Sequence, residues 1–281
     1  MNDVIKERFR SYRAKTADQE KDALREIIQE IALLGLWRGK FFEHAAFYGG
    51  TALRILYGLD RFSEDLDFTL LQPAPDFRIS SYCQAVSEEL IAYGFQVEVE
   101  PKDKKTSTPV ESAFIKADTS VHLIKVGANA RATKGERLKI KFEIDVEPAL
   151  GFATEVKQFF WPQPFSVTTC DLPSLFAGKL HATFCRERIR NVKGRDFYDF
   201  LWYVGRGVKP NDTYLERKLA QSGHWPSGKP FTKDAFKAWA KARLETLDIA
   251  AAKADVERFL PDPRVLEGWS KESFRAALER I

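Results

Sequence analysis

The spacing of apolar residues changes along the chain. Near the N-terminus it follows the three- and four-residue intervals of a helix, at Leu24, Ile27, Ile28, Ile31 and Leu34. This spacing predicts a helix from about Asp18 to Phe47, with Asp18 as its N-cap. Further along, apolar residues alternate with polar ones, which predicts short strands at 66–71, 95–99, 121–126 and 138–146. We expect these strands to form one mixed sheet, with a helix at 80–92 and an exposed loop at 101–109.

Helical spacing returns from Asp171 onward. The WPQP segment at Trp161–Pro164 lies between the two patterns, so we place a domain boundary there, between residues 1–162 and 163–281. The sequence thus predicts an α+β fold. A domain with a mixed sheet and an N-terminal helix would be followed by a helical C-terminal domain.

The composition is that of a globular protein, because 44% of the 281 residues are hydrophobic and can bury a sizeable core. No apolar run approaches the roughly 20 residues that a membrane-spanning helix needs. The N-terminus, MNDVIKERFR, also lacks the apolar stretch of a signal peptide. We therefore expect a cytoplasmic protein without a membrane partner.

Cysteines and histidines give no sign of a disulfide framework or a zinc site. The three cysteines have no CxxC spacing, and their odd number suits a reducing compartment. The four histidines lack the paired spacing that is typical of zinc ligands. We interpret both sets as packing or surface residues: Cys83, Cys170, Cys185, His44, His122, His181 and His224.

The segment FYGGTALRILYGLDRFSEDLDFTLL, residues 47–71, combines a glycine turn with a pair of acids. Gly49 and Gly50 precede a short apolar helix, so their N–H groups can face an anion at the helix N-terminus, and Thr51 adds a hydroxyl. Strand alternation puts Asp65 and Asp67 on one face and the apolar residues on the other.

Two carboxylates on one face repel each other, so a divalent cation would hold them together, and their hard oxygen atoms suit Mg²⁺. The phosphate cradle and the metal pair together predict magnesium-dependent nucleotide chemistry. The alternative is an exposed strand whose acids are solvated, or are paired with Arg54 and Arg61.

A second charged strand follows at LKIKFEIDVE, residues 138–147, which alternates strictly. Its polar face carries Lys139, Lys141, Glu143 and Asp145. Phosphoryl transfer with two metal ions uses a further carboxylate, which either Glu143 or Asp145 can supply. The alternative is the solvated face of an antiparallel strand.

A third group lies on the predicted helices of the second half. Asp171 or Ser174 would begin a helix that carries Lys179, and the next helix presents Asp196 and Asp199 at three-residue spacing. Lys179 can reach a triphosphate, and Asp196 can orient it. The common alternative is a surface ion pair. On both interpretations Lys179→Ala should barely change the thermal midpoint.

These motifs resemble those of the AbiEii/MenT group of nucleotidyltransferase toxins, which belongs to the polymerase β superfamily. The family has a Gly-Gly-Ser/Thr turn and an Arg-x-Ser-x-Asp-(Leu/Ile)-Asp-Phe motif, matched here by Gly49, Gly50, Thr51, Arg61, Ser63, Asp65, Leu66, Asp67 and Phe68. Its later motifs are matched by Lys141 and Glu143, which favours Glu143 over Asp145, and then by Lys179, Leu180, Ala182, Arg195, Asp196 and Asp199.

The resemblance implies a polymerase β-like nucleotidyltransferase domain with a mixed sheet, a C-terminal helical domain, and an active site in the cleft between them. It implies metal binding by Asp65, Asp67 and Glu143, and catalytic roles for these three together with Lys179 and Asp196. Nucleotide binding would fall to Gly49, Gly50, Thr51, Arg61, Ser63 and Lys141. The implied cofactor is Mg²⁺.

The implied substrates are a nucleoside triphosphate and the 3′ end of a tRNA, and the implied partner is a cognate antitoxin. Two other functions fit some of the same residues: nucleotidyl transfer to a small molecule such as an aminoglycoside, and RNA binding by an inactive regulator. A glycosyltransferase could also carry Asp-x-Asp, but it would not need the glycine turn.

Three clusters of basic residues favour contact with RNA, because each cation that neutralises a phosphate releases counterions. They are Lys102, Lys104 and Lys105; Arg131, Lys134 and Arg137; and Arg186, Arg188, Arg190, Lys193 and Arg195.

Overall fold

The computed structural model describes residues 2–102, 108–128, 136–186, 192–226 and 229–281. The chain forms two compact units. Unit 1 comprises Met1–Gly58, Phe62–Pro148 and Glu155–Thr169. Unit 2 comprises Leu59–Arg61, Ala149–Thr154 and Cys170–Ile281.

Unit 1 begins with two helices, α1 (Asp3–Ser11) and α2 (Ala17–Arg38). Helix α2 is confirmed where the apolar spacing predicted it, but its cap and its end differ from the prediction. The side chain of Thr16, rather than Asp18, accepts the hydrogen bond of the N-cap. The helix ends at Arg38 because Lys40 takes a left-handed backbone, with φ of 61°.

The continuation of that predicted helix to Phe47 is wrong, because a 3₁₀ turn at Phe41–Glu43 leads into a strand. Strand β1 (Ala45–Tyr48) is too short to show alternation, and its residues are largely buried. The run of apolar residues there is consistent with a buried strand as well as with a helix. Only its sheet partners distinguish the two.

The described residues contain seven strands in one mixed sheet, which confirms the predicted α+β class. The remaining strands are β2 (Leu66–Leu70), β3 (Val97–Pro101), β4 (Val110–Asp118), β5 (Arg137–Asp145), β6 (Thr154–Phe159) and β7 (Phe165–Cys170). Their order across the sheet is β3-β4-β5-β2-β1-β7-β6. The β2/β5 and β1/β7 pairs are parallel, and the β1/β2, β3/β4 and β4/β5 pairs are antiparallel.

The strand predicted at 121–126 is wrong, because this segment is helix α5 (Thr119–Val126). The side chain of Asp118 caps its first turn, and Gly127, with φ of 77°, ends it. The strand lies just before it, at β4, where alternate residues are buried. Of the loop predicted at 101–109, residues 103–107 lie outside the described residues.

Helices α3 (Gly49–Tyr57) and α4 (Ser80–Ala92) complete unit 1, and α4 has the bounds that the sequence predicted. The core forms where α2 and the apolar face of the sheet meet. The Phe68 ring lies 4.9 Å from that of Phe41, 5.0 Å from Phe47 and 4.9 Å from Phe142, measured between centroids. These aromatic contacts direct one face of β1, β2 and β5 toward the core. The polar side chains of these strands therefore lie on the other face.

Unit 2 is built from helices, as predicted: α6 (Leu172–Cys185), α7 (Gly194–Gly205), α8 (Asp212–Gln221), α9 (Lys233–Leu244), α10 (Ile249–Glu257) and α11 (Lys271–Glu279). The WPQP segment is the turn between β6 and β7, and it lies within unit 1. Separable domains with a boundary after residue 162 stay a prediction. Across the described ranges, every helix is too short or too polar to cross a bilayer.

Gly35 allows α2 and α4 to approach closely, and this contact yields a stability prediction. A Cβ at Gly35 would lie 2.8 Å from the Cα of Val86 and 2.9 Å from the carbonyl oxygen of Ala85. Replacing a mid-helix glycine by alanine normally stabilises by up to about 1 kcal/mol. Gly35→Ala should instead lower the free energy of unfolding by about 1–3 kcal/mol, because backbone atoms must move apart.

Gly178→Ala is the matched control, since a Cβ there would meet nothing within 4 Å. It should leave the protein as stable as the parent, or slightly more so. Urea denaturation followed by circular dichroism measures both variants. Equal stability of the two would contradict the close approach of α2 and α4.

Candidate active site

The glycine turn and the second aspartate of the pair are in contact. Gly49 starts α3 directly after β1, with φ of 82°. A Cβ on Gly49 would lie 2.6 Å from Oδ2 of Asp67, so both the backbone and the close approach require glycine. Tyr48, at the N-cap position, makes no side-chain capping hydrogen bond to the helix. The N-terminus of α3 therefore lies against the Asp67 carboxylate.

Thr51 fixes the segment that carries Asp65. Its side chain is fully buried, and its hydroxyl donates a hydrogen bond to the carbonyl oxygen of Asp65. The amide of Gln29, on α2, donates to the carbonyl oxygen of Ser63 at 3.3 Å. Because the single hydroxyl proton of Thr51 is used inside the protein, a phosphate group here would meet the backbone N–H of Thr51.

The parallel pairing of β2 with β5 brings the two acidic strands together. Asp67 is the register partner of Glu143, and Thr69 is the partner of Asp145. Paired residues of adjacent strands share a face, so Asp67 and Glu143 are immediate neighbours, with strands about 4.8 Å apart. Asp65, two positions before Asp67, immediately precedes β2. We call Asp65, Asp67 and Glu143 the carboxylate row.

The register also separates the two alternatives for a third carboxylate. Asp145 lies beside Thr69, and its Oδ1 accepts a hydrogen bond from the N–H of Glu147 at 3.1 Å. Glu143 lies beside Asp67. Its Oε1 forms an ion pair with Lys141 Nζ at 2.7 Å and accepts a hydrogen bond from Ser112 Oγ at 3.4 Å. Glu143 is therefore the nearer neighbour of Asp67 in the register, and its role as the third carboxylate stays a prediction.

The carboxylate row fits a divalent cation. Its oxygen atoms are hard donors from neighbouring strands, and Asp67 is held against a cradle that a Cβ would fill. Lys141 and Glu143 keep side-chain exposures of 36% and 30%, so their ion pair is weak enough for a metal to displace. A Mg²⁺ ion prefers such carboxylates and keeps several of its waters.

The third predicted group is a buried ion cluster within unit 2. Arg61 donates to Asp199 through Nε and Nη2, both at 2.6 Å, and the two side chains are almost completely buried. Lys179 Nζ lies 2.8 Å from Asp196 Oδ1 and 2.8 Å from Asp199 Oδ2. Arg186 Nε lies 3.0 Å from Asp196 Oδ2, a buried oxygen that has no hydrogen-bond partner among the described residues.

Opposite charges keep this cluster ionised. Burial disfavours the ammonium of Lys179, but the carboxylates of Asp196 and Asp199 outweigh burial and raise its pKa above the ordinary value. Burial likewise opposes ionisation of Asp196, yet Lys179 and Arg186 lower its pKa. Asp199 also raises the pKa of Arg61 against the effect of burial. Two buried cations thus balance two buried carboxylates.

This arrangement changes the interpretation of two predicted site residues. The Lys179 side chain is only 11% exposed, so the surface ion pair weighed above is wrong. Arg61, expected to bind nucleotide, is buried and donates to Asp199 through Nε and Nη2. Catalytic roles for Lys179 and Asp196, and nucleotide binding by Arg61, stay predictions.

Asp199 is the residue whose importance sequence reasoning underestimated. It contacts both Arg61 and Lys179, and its side chain has no exposure to solvent. The signal was its three-residue spacing from Asp196, which places both carboxylates on one face of α7. What could not be read from spacing is that this face is buried.

The predicted basic clusters are only partly described. Lys102, Arg137, Arg186, Lys193 and Arg195 lie in the described residues, whereas Lys104, Lys105, Arg131, Lys134, Arg188 and Arg190 lie outside them. Arg186 and Lys193 line a cavity of unit 2 together with Arg243 and Asp196. Arg137 is exposed and contacts Glu98 at 3.1 Å.

A glycine turn against Asp67, beside a second acidic strand, defines a nucleotidyltransferase when it is combined with the family match of the sequence. Residues 31–280 match the model of the family described as nucleotidyl transferase AbiEii toxin, type IV TA system. The chain therefore belongs to the AbiEii family of nucleotidyltransferase toxins, and the resemblance noted in its motifs is confirmed.

Two crystal structures from Helicobacter pylori share the fold. One is a candidate nucleotidyltransferase, with a TM-score of 0.53 and 20% identity over 90% of this chain and 89% of that chain. The other is JHP933, with a TM-score of 0.51 and 20% identity over 92% of this chain and 89% of that chain. At such identity the likeness supports the fold alone. None of the curated proteins matches the chain.

The buried ion cluster reverses the stability expected for a lysine variant. Removing one partner of a buried pair leaves an uncompensated charge and costs about 3–5 kcal/mol. Lys179→Ala should therefore clearly lower both the free energy of unfolding and the thermal midpoint. The sequence alone predicted almost no change in the midpoint. Urea denaturation of parent and variant measures the difference in free energy of unfolding.

The double variant Lys179→Met with Asp196→Asn is the matched control, because it removes one cation and one anion. It should recover much of the lost stability. Transfer activity that stays low in this restored protein would show a role of the pair in chemistry. An unchanged stability of Lys179→Ala would contradict the burial of Lys179.

Proposed function

We propose that this protein uses Mg²⁺ to transfer a nucleoside monophosphate from a nucleoside triphosphate to the 3′ end of a tRNA. The observation that carries the proposal is the β2/β5 register, which sets Glu143 beside Asp67. Asp67 in turn lies against Gly49, at the N-terminus of α3. Ligands for a metal ion and N–H donors for a phosphate thus occur side by side.

In the proposed reaction, the acceptor hydroxyl oxygen bonds to the α-phosphorus, and the bond from that phosphorus to the bridging oxygen breaks, releasing pyrophosphate. Asp65, Asp67 and Glu143 would hold Mg²⁺, which when bound neutralises charge on the triphosphate. A carboxylate beside the acceptor, which we assign to Glu143, would take the hydroxyl proton.

The other site residues of unit 1 would bind the triphosphate and hold the carboxylates in position. The backbone N–H groups of Gly50 and Thr51 would donate to phosphate oxygens, where the helix dipole favours negative charge. Lys141 holds Glu143 before the metal arrives and then offers its ammonium to a phosphate. The Ser63 carbonyl, held by Gln29, keeps the segment before β2 in place.

For the ion cluster we propose a positioning role. Arg61, Asp196, Asp199 and Lys179 hold α6 and α7 together through charges that are buried and balanced. The side chain of Arg61 would thereby anchor the first residue of the motif that contains Asp65 and Asp67.

The proposed toxic effect rests on the family match, and the proposed tRNA acceptor rests on the resemblance of the motifs. Members of the family are toxins of type IV toxin–antitoxin systems, so we propose that a cognate antitoxin neutralises this protein. The excess of 44 basic over 40 acidic residues is small, and it supports RNA binding only where the basic residues cluster.

Substitutions in the carboxylate row test the metal site. Asp67→Asn and Glu143→Gln should each reduce transfer by about 10²- to 10³-fold, because charge developing in the transition state loses its stabilisation. Asp145→Asn is the matched control on the same strand face and should transfer near the parent rate. Labelled nucleotide transfer is measured over a range of Mg²⁺ concentrations.

Higher Mg²⁺ should partly rescue Glu143→Gln, which keeps the other ligands. Loss of activity in Asp145→Asn but not in Glu143→Gln would move the third carboxylate to Asp145. Full activity of a variant that lacks both Asp65 and Asp67 carboxylates would refute the site.

The acceptor is tested with the same labelled nucleotides. We expect label on intact tRNA and none on tRNA whose 3′ diol has been destroyed by periodate, because the attacking hydroxyl is then absent. Affinity for tRNA should fall steeply with salt, since each phosphate contact releases counterions. Labelling of an aminoglycoside but not of tRNA would identify a small-molecule enzyme, and nucleotide transfer to no acceptor would favour an inactive regulator.

A further inference from the structure

Two histidines and a cysteine meet in unit 2, away from any role in the proposed transfer. His181 and Cys185 are four residues apart on α6, so their side chains project from one face of that helix. His224 follows α8, which packs against α6. One nitrogen of each imidazole and the Sγ of Cys185 all lie within 4.8 Å of one another.

The distances are close to those of a metal site. Zinc bonds of about 2.0–2.1 Å to nitrogen and 2.3 Å to sulfur place tetrahedral ligand atoms about 3.3–3.6 Å apart. Side-chain rotations that move the ligand atoms by about 1 Å would bring the three atoms to that spacing. His181 and Cys185 share one helix, so their relative position is fixed by the backbone.

Ser222 supplies a second contact to both imidazoles. Its hydroxyl donates to the carbonyl oxygen of Lys218 at 2.9 Å, which uses its only proton. The contacts of Ser222 Oγ with His181 Nε2 at 2.8 Å and His224 Nδ1 at 2.9 Å are therefore donated by the rings. A hydrogen bond from one nitrogen thus orients each ring and leaves the other nitrogen available as a ligand, as in known metal sites.

The protonation states and neighbouring charges bear on the kind of ion. Burial, with help from the Lys218 cation, lowers the pKa of His181 to about 4, so its ring is neutral at neutral pH. Burial raises the pKa of the Cys185 thiol to about 12, so a metal must displace its proton to solvent. The cations of Lys218, Arg186 and Arg243 oppose a metal ion here, and the negative charge of a thiolate ligand offsets part of this repulsion.

We propose that His181, Cys185 and His224 bind a Zn²⁺ ion through two imidazole nitrogens and one thiolate, with water as the fourth ligand. Nitrogen and sulfur ligands suit zinc, whereas the oxygen ligands of the carboxylate row suit Mg²⁺. The ion would tie the end of α6, the helix that carries Lys179, to the turn after α8. It would therefore stabilise unit 2 and is independent of the proposed transfer chemistry.

Cobalt titration of the tag-free chain, freed of metal by a chelator, tests the site. We expect one equivalent of Co²⁺ to give visible bands of tetrahedral geometry and a near-ultraviolet sulfur-to-cobalt band, both abolished by one equivalent of Zn²⁺. Zinc should also raise the thermal midpoint by several degrees. Absence of the sulfur-to-cobalt band in the parent protein would overturn the proposal.

Variants assign the ligands. Cys185→Ser should lose the sulfur-to-cobalt band, His224→Gln should weaken zinc binding more than about 100-fold, and Ser222→Ala should weaken it by about 10- to 100-fold. Cys83→Ser is the matched control, because Cys83 is also a buried free cysteine, on α4. It should bind cobalt and zinc like the parent.

Equal loss of the band in Cys83→Ser and Cys185→Ser would place the sulfur ligand elsewhere and refute the assignment. If Cys185→Ser does not fold, His224→Gln carries the test, since His224 is only half-buried and circular dichroism checks the fold of this variant. Parental zinc affinity in a folded His224→Gln would refute the proposal.

Discussion

Phe68 on β2 and Phe142 on β5 pack together on the buried side of the sheet, with ring centroids 4.9 Å apart. This contact sets the register in which Asp67 meets Glu143 on the opposite face. A slip by one residue would turn the rings to the polar side, and the hydrophobic free energy of burying these two aromatic side chains would be lost. The candidate active site therefore depends on a hydrophobic contact to which it contributes no atom.

The two acidic groups of the protein are stabilised in different ways. The carboxylate row is partly exposed, and Glu143 pairs with Lys141 in a contact that solvent weakens. In the ion cluster, by contrast, Asp199 receives two hydrogen bonds from Arg61 and contacts Lys179 with no exposure to solvent. The metal site that we propose at the carboxylate row would benefit from replaceable partners, whereas buried charges must keep theirs.

At two points of unit 1, a neighbouring group lies so close to the backbone that only glycine fits. Gly49 brings the N-terminus of α3 against Asp67, and Gly35 brings α2 against α4. The first contact arranges chemistry and the second arranges packing. Both follow from the same property, since a Cβ at either position would overlap a neighbouring group.

The sequence by itself determined the family and those elements whose apolar spacing is unambiguous. The alternation in β2 and β5, the helix at Ser80–Ala92 and the acidic motifs are properties of local spacing, which buried faces impose on any chain. Only the tertiary structure showed that Ala45–Tyr48 is a strand, that Lys179 is buried between two carboxylates, and that His181, Cys185 and His224 converge. These depend on contacts between remote segments, and local spacing contains no record of which segments will pack together.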